Sequence, residues 1–515
     1  MREPLTPGAA GLSEAPSLPT DTASAVDPAL QHPPAEALDT PGGLLRSSGA
    51  ATLAQFVRVA AILLTHLALR RLIPPSDWGL RDWAESLFLL LATVRDLGLP
   101  SHVVRLRPIP LGNLLRVQLG WGGVLGLAIL AGAPVLATTF STPRPDVALV
   151  LQVMVLYLLL EGLASVPLTH FEAGLRIGRS VVPELARTLT YCSGALVLAF
   201  TGWGVWSFVL AMVGSQAIYA GLLWWRARPT MVLHFEPAGT RTMLAASIPL
   251  GSIWLLAFAV TYADALILGS RFPDAVVGGY MFAYVWAFFA SRVLQQPIGR
   301  ALYPALVQFG DRPGQQFLAY RLATKVLLAI EVPAALFLFL NADLVVRILG
   351  GERYAGQAGL LRLLAFAPLV DPLGRFGGEL LVSCHRDRDR IVSLVLHLAA
   401  LVAGGLFLAH LYGPVGMAWA NFLPLGAPVL LWSMARIDRA GLGRLVFDLV
   451  EVYCAPLPLF ALAWWAAGDH LWLRFGLSAA AGLASLAWFW WRFGGRFLEF
   501  FGRRGGPETP DTPDR

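Results

Sequence analysis

Apolar stretches of about 20 residues recur along the chain between short polar or Gly/Pro breaks, each long enough to cross a hydrocarbon core of about 30 Å. They lie near 49–69, 83–99, 112–138, 146–169, 181–200, 204–225, 244–268, 278–305, 317–340, 357–383, 390–411, 415–435, 446–467 and 470–491. This pattern predicts an all-α polytopic membrane protein of about fourteen transmembrane helices. The first span carries a charge, Arg58, deep in its apolar run. At 100° per residue, Ser48, Thr52, Gln55, Arg58, Thr65 and His66 fall within roughly 140° of one another. A charge at the bilayer centre costs several kcal/mol, so this face is expected to meet water or a cavity.

The breaks also repeat. PPSDWG (Pro74 to Gly79) follows the first span and RFPDAVVGGY (Arg271 to Tyr280) the seventh; TGWGVWSFVLA (Thr201 to Ala211) follows the fifth and YGPVGMAWANF (Tyr412 to Phe422) the eleventh. Six spans return the chain to its starting side, so two halves would share an orientation about an axis along the membrane normal. The expected organisation is two pseudo-symmetric six-helix lobes, 45–228 and 229–438, around a central cavity, followed by a helix pair, 439–495. Residues 1–44 are rich in Pro, Ala, Ser, Thr and acidic residues, with no apolar run behind a basic start. They read as a disordered cytoplasmic tail and not as a signal peptide, and 496–515 as a second cytoplasmic tail.

Composition agrees: 56% of residues are hydrophobic and 14% charged, against about 25% charged in soluble domains. Of the 39 basic residues only Lys325 is lysine, so the net charge of +6 says nothing for nucleic acid. The arginines fix an orientation instead. Arg105, Arg107, Arg176, Arg179, Arg226, Arg228, Arg300, Arg312, Arg386, Arg388, Arg390, Arg436, Arg439, Arg503 and Arg504 follow even-numbered spans, whereas loops after odd-numbered spans carry few, such as Arg144 and Arg271. Both termini are therefore expected in the cytoplasm. Two places break the rule, the corner with Arg70, Arg71 and Arg81 and the loop with Arg347 and Arg353, and mark where positive charge is wanted outside. No loop is long enough for a domain and no GxxxxGK[ST] occurs, which argues against ATP hydrolysis. Cys192, Cys384 and Cys454 are isolated and read as small hydrophobes, with no metal-binding spacing. His66, His397 and His410 likewise read as packing or interfacial residues.

Ordered along the first twelve spans, several pieces resemble the polysaccharide-transporter flippases of the multidrug/oligosaccharidyl-lipid/polysaccharide exporter superfamily. They are LAQFVRVAAILLTHLALRRLIPPSDWGL, RDLGLPSHVV, HFEAGLRIGRSVVPELARTLTY, TGWGVWSFV, YADALILGSRFPDAVVGGYMFAY, QQPIGRALYPAL, RILGGERYAGQAGLLRLLAF and YGPVGMAWA. The resemblance implies two lobes facing a cavity and movement of a polyprenyl-diphosphate-linked oligosaccharide to the outer leaflet of the bacterial inner membrane by alternating access, in lipopolysaccharide or exopolysaccharide synthesis. Its partners would be that lipid-linked saccharide, membrane lipids, and a polysaccharide polymerase with other assembly proteins. The fourteen-span length is similar to the lipid II flippase branch, where the extra pair borders a groove for the lipid tail.

A diphosphate-bearing cargo calls for cationic donors in a wet cleft, and arginine pairs bidentately with phosphate. Arg58 with Gln55, and Arg292 with Gln295 and Gln296 on the eighth span, are the head-group candidates. For Arg58 the competing reading is an ion pair inside the first lobe, and for Arg292 snorkelling to the cytoplasmic face. Coupling to H+ or Na+, with no other cofactor, would use buried carboxylates, for which Glu161, Asp264 and Glu331 are candidates beside ordinary capping or hydrogen bonding. Asp371, Arg375 and Glu379 form an i, i+4, i+8 ladder expected to neutralise itself. Pro249, Pro333, Pro368, Pro372, Pro424 and Pro428 are expected to kink the second half. The alternatives are a drug/cation antiporter of the same superfamily, or an enzyme, a membrane-embedded polymerase or glycosyltransferase, for which the outer loops are short.

Overall fold

The computed structural model describes the backbone of residues 41–104, 109–138, 146–174, 178–235, 237–310, 312–423 and 425–502, with side chains there except at 41–56, 101, 237–238, 250, 296–297, 300–301, 304 and 496–502. The expectations for the tails, for Arg105, Arg107, Arg144, Arg176, Arg300, Arg503, Arg504 and Pro424, and for the side chains of Ser48, Thr52, Gln55 and Gln296 lie outside the described residues. Residues 1–53 and 54–515 form two units; the second holds the helical bundle.

Among the described residues every regular element is helical, and each of the fourteen predicted stretches falls on one helix or a broken run. The first half holds α1 (Pro41–Leu72), α2 (Pro75–Asp96), the short α3 (Leu99–Val103), α4 (Leu111–Thr138), α5 (Asp146–Ala173), α6 (Gly178–Phe200) and α7 (Trp206–Ala227). The second opens with α8 (Pro237–Arg271), then α9 (Asp274–Ala287) and α10 (Phe289–Gln308), which bend by 52° at Phe288. After α11 (Pro313–Gly350) come a 3-10 turn (Glu352–Gln357), α12 (Ala358–Leu364) and α13 (Asp371–Ser383). Then follow α14 (Asp387–Tyr412), α15 (Pro414–Ala420), α16 (Ala427–Ile437), α17 (Arg439–Cys454), α18 (Leu457–Ala467) and α19 (Leu471–Gly502).

By length and composition, eight described segments can cross a membrane, or nine with the bent α9–α10 pair. The protein is thus a multi-pass membrane protein whose apolarity is uneven. α2 carries Asp77, Arg81, Asp82, Glu85, Arg95 and Asp96, and α6 carries Arg179, Glu184 and Arg187. Such charges survive in a membrane helix because they face protein or water, which is why hydropathy by itself passes these helices over. The outer surface is the converse: Leu127, Trp465, Phe447 and Trp491 are more than 65% exposed.

The two corners flagged by the repeat are built alike. α2 starts behind Pro74 and α9 behind Pro273, both extended N-caps. Four residues past each first helical residue stands a glycine, Gly79 and Gly278. A Cβ on Gly79 would overlap the carbonyl of Asp274, and one on Gly278 that of Pro75. The helices therefore cross at a pseudo-twofold contact in which each glycine receives the first residue of the other helix. At its far end α2 turns through Leu97 (φ 45°) and Gly98 (φ 71°). A left-handed leucine is strained; it is held by the close approach of its carbonyl to Gly251 on α8, where a Cβ would clash.

Prolines mark helix starts more than bends. Pro372, Pro414 and Pro428 stand in the first turns of α13, α15 and α16, where their missing N–H costs nothing. Pro333 sits inside α11 without breaking it; the non-helical residue there is Asn341 (φ −113°, ψ 17°). Its amide donates to Phe337 O at 2.9 Å and to Ser478 Oγ on α19 at 2.7 Å. α17 and α19 dock on α11 through Lys325, which reaches Asp448 (2.9 Å) and Glu451 (2.7 Å) and lies 3.6 Å from the Phe493 ring centre. Arg321 grips Asp448 with two nitrogens, and Arg492 pairs with Glu451 at 3.0 Å.

Candidate functional site

The mid-span charges fall into four clusters. In the first half Arg58 pairs with Glu184 of α6, whose other oxygen accepts from Ser180 at 3.2 Å. Arg58 Nε is buried without a partner among the described residues. Arg187, three residues past Glu184, lies 4.6 Å from the Tyr219 ring centre and donates to Gln216 at 3.4 Å. Arg58 is thus ion-paired within the first half, and Arg187 is a further arginine of α6 that the sequence reading passed over. The second cluster surrounds the fully buried Arg95, which donates to Leu158 O and Asp96 and stands 3.6 Å from Glu161. Asp96 and Glu161 face a pocket of about 210 Å3 shared with Thr93, Trp254 and Phe258, between α2, α5 and α8.

The third cluster lies where the halves meet. Arg81 pairs with Asp82 (2.7 Å) and Glu85 (2.6 Å) on α2. Opposite, Arg292 on α10 is exposed, 5.4 Å from the Tyr284 ring centre and in electrostatic range of Glu85 and of Tyr262 on α8. Among the described residues no carboxylate lies within salt-bridge distance of Arg292. Gln295, three residues past Arg292, is buried and spends its amide on Ser291 (2.7 Å) and on Asp371 of α13.

The fourth cluster is in the second half. Asp371 accepts from Gln295 and stands 3.8 Å from Arg375. Glu379 has Arg375 and Arg390 as its electrostatic neighbours, though one of its oxygens is buried without a hydrogen-bond partner among the described residues. Asp264 is 2% exposed and closed into a network, accepting from Tyr280 and from Asn421 at 2.8 Å. Glu331, also 2% exposed, has the Ser291 hydroxyl of α10 beside it.

The two exceptions to the arginine rule meet each other. Arg70 is 3% exposed, its guanidinium 3.7 Å from the Trp78 ring centre and 5.3 Å from those of Phe282 and Tyr354, and it donates to the Tyr354 hydroxyl at 3.1 Å. Arg71 donates to Ile348 O near the C-terminus of α11 at 3.2 Å, where carbonyls lack helical partners. Burial and the electron-rich rings hold the cation without a carboxylate. This clasp ties the α1–α2 corner to α9, the end of α11 and the turn after it, beside the Gly79–Gly278 crossing.

A family model described as "Polysaccharide biosynthesis protein" matches residues 68–358. The lipopolysaccharide biosynthesis protein WzxC of Escherichia coli (strain K12) is 22% identical over 359 residues, covering 67% of this chain and 71% of the relative. Among solved structures, the lipid II flippase MurJ in an inward closed conformation superposes with a TM-score of 0.68 over 88% of this chain and all of its own, at 13% identity. An inward-facing multidrug resistance MATE family transporter of the MOP superfamily gives a TM-score of 0.60 over 75% of this chain and 96% of its own, at 15% identity.

Proposed function

Since the chain belongs to the polysaccharide biosynthesis protein family, matched over more than half its length, and carries the fold of MOP-superfamily transporters, we propose that it is a flippase. Its cargo would be a polyprenyl-diphosphate-linked oligosaccharide, moved across the bacterial inner membrane by alternating access, without covalent chemistry and without a bound cofactor. In this reading the chain crosses fourteen times with both termini in the cytoplasm, as lobes 45–228 and 229–438 and a terminal pair 439–495. The likeness to WzxC and to a lipid II flippase supports a lipid-linked saccharide over a drug as cargo.

The observation that carries the reading is Arg292: an exposed guanidinium in the first turn of α10, just past the bend, in electrostatic range of Glu85 on α2 and, among the described residues, free of any carboxylate in salt-bridge range. Such a group is expensive in lipid and suited to a diphosphate. Arg58 and Arg187 supply the opposing wall, with Glu184 yielding as cargo enters. In this reading the Arg70 clasp and the glycine crossing hold the outer ends together while cargo enters from the cytoplasm. Deleting the chromosomal gene should cause a diphosphate-linked glycan to accumulate on the cytoplasmic side. Wild-type chain should clear it and Arg292→Ala should not. Full export by Arg292→Ala would remove the site assignment, and no accumulation in the deletion strain would remove the function.

A further inference from the structure

The pocket of about 210 Å3 between α2, α5 and α8 draws its walls from both halves of the chain. One wall is aromatic. Trp254, Phe258 and Tyr262 stand four residues apart on α8, so each follows the last by about 40° and the three form one stripe. Trp254, 47% exposed, and Phe258 line the pocket, and the Phe258 and Tyr262 rings stack at 5.8 Å and 23°. The opposite wall is a set of acceptors. Asp96 takes its bonds from Arg95 and Gln118 on Oδ1, and Oδ2 accepts from neither. Glu161, with a side chain 30% exposed, meets Arg95 through Oε2 at 3.6 Å, leaving Oε1 for a ligand. Thr93 donates to Leu89 O at 2.9 Å and keeps its lone pairs. The nearby donors are spent, since the fully buried Arg95 is committed to Leu158 O and Asp96. One guanidinium against two carboxylates leaves the site a single negative charge.

We propose that this pocket holds one uncharged pyranose of the cargo's saccharide, an inference that rests on the flippase reading. A pyranose has an apolar C–H face and a rim of hydroxyls. The face lies on Trp254, a large and rigid ring, while the hydroxyls donate to Asp96, Glu161 and Thr93, the first two as charge-assisted bonds. Size points the same way: pockets for drug-sized ligands run to about 300–1,000 Å3, and this one suits a single ring. An acidic sugar is disfavoured, because its carboxylate would meet two others and find no uncommitted donor. α2 and α8 run antiparallel, with Gly251 against Leu97 and Gly269 against Trp83. The far end of the stripe, Tyr262, is in electrostatic range of Glu85 and Arg292, about 12 Å of helix from Trp254. Cargo with its diphosphate at Arg292 thus lays its glycan along the stripe toward the pocket. Parting the halves separates the acceptors of α2 and α5 from the ring on α8, which releases the sugar as the state changes.

The test uses the full chain in lipid nanodiscs with methyl glucopyranoside and methyl glucuronide as probes, titrated by saturation-transfer NMR. Saturation should fall on the C–H face of the glucoside, and the glucuronide should bind about tenfold more weakly. Trp254→Ala should weaken glucoside binding about tenfold, and Trp254→Phe should recover part of it. Glu161→Gln, which removes the surplus charge and adds a donor, should bring the glucuronide close to the glucoside. A wild type that binds both probes equally overturns the proposal, as does unchanged glucoside affinity in Trp254→Ala. Tetramethylammonium that binds more tightly than the glucoside and displaces it overturns it too, because the pocket is then a cation site. Absence of glucoside binding has the same consequence. The flippase reading is judged apart from these outcomes, by glycan accumulation in the deletion strain.

Discussion

A charged residue in mid-span is legible in sequence, but its job is not, and Arg58 and Arg292 show why. Both interrupt apolar runs. Arg58 finds Glu184, 126 residues away, on a helix folded against its own, whereas Arg292 has aromatic rings and a distant Glu85. Removing Arg292 should therefore cost the hydrogen bonds of a charged pair with cargo, about 1.5–3 kcal/mol, or roughly tenfold to a hundredfold in export rate measured in the complemented deletion strain. Arg292→Lys should recover only part, since a point charge replaces a fork. For Arg58 the double variant decides. If its pairing with Glu184 is purely structural, Arg58→Gln and Glu184→Gln together should fold and export better than either alone. If Arg58 also holds cargo, the double variant should export as poorly as Arg58→Gln while recovering thermal stability.

At the level of elements, two contacts carry the architecture. The α2–α9 crossing depends on glycine at 79 and 278, since any side chain must push the helices apart. Gly79→Val and Gly278→Val should each cost about 1–3 kcal/mol of overpacking, and should raise thiol-reagent access to a cysteine placed at Phe282, by loosening the crossing. Unchanged access would mean that the crossing is not what seals that side. The second contact is Lys325, with carboxylates from α17 and a ring from α19. Lys325→Met leaves Asp448 and Glu451 with fewer cations, and breaking a buried pair from one side costs about 3–5 kcal/mol. Arg321 and Arg492 should hold the loss toward the lower end of that range. Limited proteolysis should then cut between α16 and α17 faster than in the wild type.

For the molecule as a whole, the clasp from Arg70 to Tyr354 and from Arg71 to Ile348 binds the α1–α2 corner to the end of α11 and the turn after it. If transport needs those ends to part, cysteines at Arg71 and Ile348 joined by a short thiol-reactive linker should stop export, and a cleavable linker should restore it on reduction. Export that continues through an intact link would exclude alternating access at this face.

The sequence by itself determined the all-helical membrane class, the helices on which the apolar stretches fall and the repeated corners. Those follow from local chemistry: a backbone in lipid must satisfy its own hydrogen bonds, and apolar length sets the span. Tertiary structure decided the rest. It paired Arg58 with Glu184, tied Gln295 to Asp371, put the bend of α11 at Asn341 and not Pro333, and closed Arg70 in a ring cage. Each of these depends on which helix lies opposite, and opposing faces come from packing between residues far apart in the chain, where periodicity along one helix carries no information about the next.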